Sequence, residues 1–479
     1  MKKIFLSKLL VLFYLFVAAQ TFPQKQEDNK LTLKQCVETG LANNLDILQS
    51  GLRMQQSRIN WNQARLNMLP DLNGSAASGS NQGRSIDPFT NGYINQQVSY
   101  ASYGLGSGVI LFNGLSMQNT VKQNALAYEA SKMDWQQAKD NLTINIILTY
   151  LQVLANEDLL AQLLNQAGLS KKQVERLEIM NKDGAITPSQ LYDLQGQYAS
   201  DQLSLINTQN TLDLSKISLC RLMNVPYDKS IALERIDAGS YAVKYEDTPD
   251  KIYQQALLQF SLIKAVDLRK QSAEKGVRVA KGQLFPTLSL NGSANTNYSN
   301  AARADIFLNT TDVTSADYVV VNGTQTPVIK KQSNFNSEKI SYGKQLNNNL
   351  FTSVSLNLRI PIFNSWQARN RIKLAQLTLK NNDIVASTTK TQVQQSIEEG
   401  YSNMTSSSAR YKTLIEQVTA YTESFHAAEI RFNAGVGTSI DYLIAKNNLD
   451  RANINMITAR YDYVLRTKVL DYYQGKQLW

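Results

Sequence analysis

The sequence predicts a mainly α fold with membrane β-strands, written as two copies of one unit. A repeated punctuation, two proline-free helical runs and four short amphipathic strands predict it. Phe112-Asn113 recurs as Phe363-Asn364, and the turn Gly184-Ala185-Ile186-Thr187 recurs as Gly435-Val436-Gly437-Thr438, both offset by 251 residues. Each Asn precedes its Gly by 71 positions with no proline between them. Such a run makes a helix of about 65 residues, or roughly 100 Å at 1.5 Å rise per residue. A compact globule has no use for that length, whereas a rod or a duct has.

The chain begins as an exported protein does. Lys2, Lys3 and Lys8 accompany an apolar run from Leu9 to Ala19 that ends in Val17-Ala18-Ala19. This is the grammar of a secretory signal over residues 1–19, too short to span a bilayer. No Cys follows the expected cleavage before Gln20, so no lipid anchor is expected. The longest later apolar stretch, Ile144 to Leu164, is interrupted by Asn145, Gln152, Asn156, Glu157 and Asp158, which argues against a transmembrane helix. The formal charge of +10 falls to +7 without the three signal lysines (46 basic against 39 acidic). Its basic residues are scattered along helices and read as solvated faces, with no footprint for nucleic acid. Cys36 and Cys220 are the only thiols; a bridge between them is left open against two buried hydrophobes.

Each element follows from local signals. A polar leader (20–30) precedes helical spacing from Leu31 to Leu69, with weak breaks near Gly40 and Gly51 and a stop at Pro70. Residues 71–80 alternate as a strand, and after a polar loop with Asp87-Pro88 and Asn91-Gly92 a second strand covers 98–112. There Tyr103, Leu105, Val109 and Leu111 face one way, and Ser102, Gly104, Gly106 and Gly108 the other. Asn113 reads as the N-cap of a long helix over 114–181. Thr187-Pro188-Ser189-Gln190 reads as a capping box with Pro at the first helical position, starting a return helix over 188–223.

The second half, 227–479, repeats the first, 20–226. Strands are expected at 287–297 and 351–362, a long helix at 365–433 and a return helix at 439–473. Val354, Leu356, Leu358 and Ile360 oppose Ser353, Ser355, Asn357 and Arg359, in phase with the first copy. From Pro70 to Phe112 is 42 residues and from Pro286 to Phe363 is 77, leaving a surplus of 35 in an Asn-, Thr- and Ser-rich loop that includes a candidate hairpin at Asn322-Gly323.

Strands of about ten residues with one apolar face have the length and period of outer-membrane strands. Four of them cannot close a barrel, and lipid does not tolerate an open edge, so the barrel must be shared between chains. The return helix and the helix leading into each first strand together nearly equal the long helix, so two short helices laid end to end can line one long one.

Taken together, these residues resemble the TolC-like outer membrane efflux proteins. The resemblance covers nearly all of the mature chain. It rests on the duplication, on the strand entries Leu69-Pro70-Asp71-Leu72 and Phe285-Pro286-Thr287-Leu288, on the strand ends Leu111-Phe112-Asn113-Gly114 and Pro361-Ile362-Phe363-Asn364, and on the turn Gly435 to Thr438 followed by Asp441. It implies a homotrimer with one 12-stranded outer-membrane β-barrel continuous with a long periplasmic α-helical barrel. It also implies a periplasmic adaptor (membrane fusion) protein, an inner-membrane transporter of RND or ABC type and outer-membrane lipid as partners. Two positions depart from the family pattern. Ser365 stands where Gly is favoured, and is expected to be neutral. Ile440-Asp441-Tyr442-Leu443-Ile444-Ala445 has Ile444 where the family often has a second acid, so a two-ring acidic gate does not carry over.

The resemblance makes Asp183, Gly184 and Thr187, with Gly435, Val436, Gly437 and Thr438, adaptor-contacting tips; taken alone, the same residues make a plain helical hairpin with glycine caps. Asp441 is a periplasmic gate residue or a capping carboxylate, or both. Tyr442 and Arg431 beside it are the other gate candidates. His426, the only His, has no companions at metal-ligand spacing. No phosphate loop, nucleophile elbow, His-Glu-x-x-His or Cys-x-x-Cys is present, so neither enzyme chemistry nor a cofactor is expected. The expected function is a passive outer-membrane exit duct for small toxic compounds or secreted protein. An envelope rod or adhesin is the alternative; it would need sustained heptads and leaves the strands unexplained.

Overall fold

The computed structural model describes residues 30–86, 91–95, 97–236, 245 and 247–476; the signal segment, most of the polar leader and Asp87-Pro88 lie outside them. The chain divides into two compact units, one of Met1–Met54, Ala130–Asp267 and Val385–Trp479, the other of Gln55–Glu129 and Leu268–Ile384. Helices are α1 (Leu33–Asn43), α2 (Leu45–Leu66), α3 (Ser116–Lys182), α4 (Pro188–Met223), α5 (Pro249–Gln259), α6 (Ser261–Gly282), α7 (Tyr342–Asn348), α8 (Gln367–Asn433) and α9 (Ser439–Gln474). The long helices α3 and α8 each have 67 residues and the return helices α4 and α9 each have 36, so the duplication persists in element lengths.

The first unit is helical, and its main core forms where α1, α3 and α4 meet. Cys36, Val37, Ile146, Ile147, Tyr150 and Leu219 are buried together there. The Tyr150 hydroxyl donates to the carbonyls of Leu31 (3.0 Å) and Glu234 (2.6 Å), fastening the short parallel bridge Leu31–Leu233 to α3. A second core joins Ile252, Ala256 and Ile263 to Ile397 and Leu470. Both cysteines are free and buried, and burial pushes the Cys36 thiol up to about 11.

The break expected near Gly40 or Gly51 falls at Asn44 instead. Asn44 is extended (φ −67, ψ 127) and its Oδ1 accepts from the Asp46 N–H at 2.9 Å, starting α2. Its Nδ2 donates to the Leu222 carbonyl, while the Asn224 Nδ2 donates to the Asn43 carbonyl, both at 3.1 Å. The ends of α1 and α4 thus cap each other. Gly40 stays helical for a different reason: a Cβ there would lie 2.4 Å from the Ile146 Cδ1. Phe260 (φ −68, ψ 121) makes the equivalent break between α5 and α6.

The second unit is built on an antiparallel sheet in the order β1 (Asn73–Asn81), β4 (Val98–Phe112), β5 (Thr287–Ser299), β8 (Phe351–Arg359). Antiparallel register puts the start of β1, the end of β4, the start of β5 and the end of β8 at one end of the sheet, where α2, α3, α6 and α8 join it. Val109, Leu290 and Leu356 are partners on one face; Gly108, Asn291 and Ser355 are partners on the other. The apolar face is bare, with Leu105, Val354, Leu356 and Leu358 exposed. A bulge after Ile110 brings Phe112, rather than Leu111, opposite Leu288. β8 stops at Arg359, short of the expected 362, because Pro361 has no N–H to give a ladder.

The 35-residue surplus is ordered. β6 (Arg303–Val321) and β7 (Thr324–Lys339) form a long hairpin that turns on Asn322 (φ 55) and Gly323 (φ 85). α7 then returns the chain to β8, anchored by the Gln345 side chain, which accepts from the Ser299 N–H at 2.9 Å and donates to its carbonyl at 3.0 Å. A small hairpin, β2 (Arg84–Ile86) with β3 (Tyr93–Asn95), lies between β1 and β4 in the chain.

Both long helices start two residues later than expected, because the strand-to-helix turn spends two residues in the left-handed region. These are Gly114 (φ 66) and Leu115 (φ 60) in the first copy, Ser365 (φ 52) and Trp366 (φ 62) in the second. The N-cap position thus falls at Leu115 and not at Asn113, though the Asn113 side chain still accepts from the Met117 N–H at 3.2 Å. Ser365 is therefore not a neutral replacement for Gly: a side chain in this region costs about 1–2 kcal/mol. Gly114 has a further reason to lack one, since its Cβ would lie 2.4 Å from the Gly282 carbonyl oxygen.

Thermal unfolding in detergent, followed by circular dichroism, checks this asymmetry. Ser365→Gly should stabilise by about 0.5–1 kcal/mol, the relief of left-handed strain less the extra chain entropy of Gly. Gly114→Ala should destabilise by more than that, because backbone has to move.

Candidate functional site

Both predicted tips lie in the helical unit and are built alike. α3 ends in a Schellman turn: the Gly184 N–H donates to the Asn181 carbonyl (3.1 Å) and the Ala185 N–H to Met180 (2.9 Å), with Gly184 at φ 70. α8 ends the same way, the Gly435 N–H donating to Phe432 (3.2 Å) and the Val436 N–H to Arg431 (3.0 Å), with Gly435 at φ 75. The Gly437 N–H also reaches the Arg431 carbonyl at 3.1 Å, and a Cβ on Gly437 would lie 3.0 Å from the Phe432 nitrogen. Asp183, Gly184, Thr187, Gly435 and Val436 are all exposed.

The helix starts after these turns differ. Thr438 caps α9: its hydroxyl oxygen accepts from the Asp441 N–H (3.1 Å) and the hydroxyl donates to the Asp441 carboxylate (2.8 Å). Asp441 is exposed in the first turn of that helix, where the macrodipole favours a negative charge. Thr187 holds the N-cap backbone geometry of α4 but makes no side-chain cap bond, so the expected capping box is not formed there. Pro188 supplies the helical φ in its place.

Of the gate candidates, Arg431 contributes its carbonyl to the turn, and Tyr442 belongs to a core within the chain. Tyr442 is 1% exposed, stacked on Phe432 (centroids 4.9 Å, 26° between planes) and tilted against Phe425 at 5.5 Å. Val174, Leu177, Leu191 and Leu194 complete this cluster, which packs α3 and α4 against α8 and α9. Burial pushes the Tyr442 hydroxyl up to about 12. The Arg176 guanidinium ties α3 to the end of α8, donating to the Asn433 side chain and to its carbonyl (3.2 Å).

The sequence reading missed the polar group next to this cluster. Lys446, one turn beyond Tyr442 on α9, is only 2% exposed. Its Nζ lies 3.2 Å from Asp201 of α4 and 2.6 Å from Asp450 of α9. Asp201 also accepts from the Ser170 hydroxyl of α3 and from Gln197 (2.8 Å), and Asn447 donates to Gln197 at 3.2 Å. Burial raises the Asp450 carboxyl, against the pull of Lys446. Lys446 and Lys468 are both buried, so the reading of all basic residues as solvated is corrected here. The i,i+4 spacing of Lys446 and Asp450 was visible; Asp201, 245 residues earlier, was not.

This assembly of two helical hairpins, a duplicated chain and an open sheet with a bare apolar face matches a known family. The model of that family, described as outer membrane efflux protein, matches residues 37–225 and 252–473. The chain is an outer membrane efflux protein. It is 22% identical over 409 residues to the outer membrane protein TolC of Vibrio cholerae, covering 84% of this chain and 81% of that one. With TolC of Escherichia coli the identity is 20% over 413 residues, covering 84% and 74%. The fold is also that of solved channels. The Campylobacter jejuni CmeC outer membrane channel has a TM-score of 0.74 at 17% identity, covering 92% of this chain and 85% of that one. VceC of Vibrio cholerae has a TM-score of 0.72 at 14% identity, covering 93% and 97%.

As a member of this family, whose members are conduits rather than enzymes, the chain is an outer-membrane efflux duct with its helices in the periplasm. The rod or adhesin alternative is set aside. No helix among the described residues is long and apolar enough to cross a membrane.

The unequal caps give a direct test. Thr438→Ala should cost about 1 kcal/mol of stability, the usual value of an N-cap bond. Thr187→Ala should cost well under half of that. Denaturation of the two variants side by side reads the difference.

Proposed function

We propose that three copies form the duct, their sheets closing one barrel of twelve strands. The observation that carries this reading is the four-stranded sheet, whose edge strands β1 and β8 have no further strand partner among the described residues and whose apolar face is exposed. Unpaired edge groups cost several kcal/mol each in hydrocarbon, so another copy must supply their partners. Outer-membrane lipid then covers the apolar face, and the polar face of Gly, Ser and Asn lines the water-filled side. Twelve helices would form the matching periplasmic barrel.

The turns at Asp183 to Thr187 and Gly435 to Thr438 are the docking end for a periplasmic adaptor. Their exposure and lack of bulk support this, as does the need of a passive duct to receive cargo from an inner-membrane transporter of RND or ABC type. Around the axis, one Asp441 per copy makes a ring of like charge at the narrow end. Tyr442 takes part by holding α9 against α8 inside each copy, since its ring is not free to reach a neighbour. Arg431 takes part by closing the turn.

Membrane fractionation and native mass measurement test the assembly: the chain should appear in the outer membrane as a detergent-stable trimer, and a soluble periplasmic monomer would end the reading. For the gate, Asp441→Asn keeps volume and a side-chain oxygen, so stability should barely change. In planar bilayers it should weaken cation preference and block by polyvalent cations. Unchanged selectivity would leave Asp441 a capping residue only.

A further inference from the structure

The long β6–β7 hairpin stands in the second copy where the first has only the short β2–β3, and it takes no part in the four-stranded sheet or the tips. Among the described residues it pairs only with itself, through strands of 19 and 16 residues. A lone two-stranded hairpin is at best marginal in water. Near its turn Tyr318, Val319, Val320 and Val321 are all more than half exposed, an uncharged β-prone run that a protein normally shelters. Farther down, Phe307 and Phe335 meet edge to face at 6.0 Å across the strands. The rest of both faces is mixed: Asp305, Thr310 and Asp312 lie with Ser337, Ser333 and Lys331 on one, and Ile306, Asn309 and Thr311 with Asn336, Asn334 and Gln332 on the other. Neither face suits lipid, so the unsatisfied parts of the hairpin are its two backbone edges.

Those edges carry opposite charge. β6 has Asp305, Asp312 and Asp317 against Arg303, a net of −2; β7 has Lys330, Lys331 and Lys339 against Glu338, a net of +2. Charged edges usually prevent pairing between sheets. Here they repel β6 from β6 and β7 from β7, yet attract β6 of one copy to β7 of another. Several carboxylates are held by neutral donors of the same hairpin: Asp305 accepts from the Ser337 hydroxyl (2.7 Å), Asp317 from the Ser315 hydroxyl, and Glu338 from Asn336 (3.2 Å). A ring of copies places the β7 edge of one beside the β6 edge of the next, and the two run antiparallel, as the hairpin's own strands do.

We infer that the hairpins of neighbouring copies pair edge to edge, β7 to β6, in a strand collar beyond the end of the sheet opposite the helices. This rests on the cyclic oligomer proposed above. Six strands in a closed ring enclose less space than the eight whose interior side chains just fill. A complete collar would therefore narrow the outlet of the duct.

Mixed oligomers separate pairing between copies from contacts within one. One chain carries Asp305→Asn, Asp312→Asn and Asp317→Asn; the other carries Lys330→Gln, Lys331→Gln and Lys339→Gln. Neither can join a β6 aspartate to a β7 lysine by itself. The two are co-expressed, purified as oligomers in detergent and treated with a carbodiimide, which joins carboxylates to amines without a spacer. Linked β6–β7 peptides are expected from the mixed oligomers and from neither variant alone. As a second measurement, deleting 303–339 should leave the oligomer intact, because surface insertions contribute little to it, and should raise single-channel conductance. An intact mixed oligomer with no β6–β7 link, and a deletion variant of unchanged conductance, would overturn the collar while leaving the trimer standing. Purification as single chains would remove both.

Discussion

Backbone hydrogen bonding at the sheet edges is the constraint on which the rest depends. β1 and β8 each offer an outer row of N–H and C=O groups with no strand partner among the described residues. In water such a row is a liability, and in hydrocarbon it is prohibitive. The apolar face adds the same demand, since Val354, Leu356 and Leu358 stand exposed on it. The single chain therefore leaves its sheet unfinished, and the ring of copies proposed above is the arrangement that would finish it.

The helical unit answers to a different kind of constraint. Its cohesion comes from cores spaced along the helices, the Cys36–Tyr150–Leu219 cluster, the Ile252–Ile397–Leu470 cluster and the Tyr442–Phe432–Leu194 cluster. Long helices of low amphipathicity cannot be stabilised by propensity alone, so each contact region matters. Beside the last of these cores, Lys446 shares two carboxylates from different helices. Replacing one partner of a buried set usually costs about 3–5 kcal/mol, whereas the intact set contributes less to stability than to a unique arrangement.

Much of this was legible in the sequence, because period and punctuation are local. The 251-residue offset, the glycine turns and the alternation of Val354 to Ile360 against Ser353 to Arg359 each leave a mark within a few residues. What was not legible depends on partners far away in the chain. The helix break went to Asn44 and not to Gly40 or Gly51, because Asn44 has Leu222 to bond and Gly40 has Ile146 to accommodate. Thr187 and Thr438 look equivalent, yet only Thr438 caps. Tyr442 was a gate candidate beside the tip, and its ring is buried against Phe425 and Phe432. The mainly helical fold and the family were thus open to the sequence, while the roles of single side chains at the tips waited for tertiary contacts.

The two thiols have a practical side. Cys36 and Cys220 are the only cysteines, and both are sealed in the first helical core with Cys36 held almost wholly as the neutral thiol at ordinary pH. Thiol reagents act on the exposed thiolate. The natural chain is thus chemically silent toward maleimides and spin labels while folded. A single cysteine placed at a tip or on the long hairpin would report alone, with no need to rebuild the core that the native pair helps to fill.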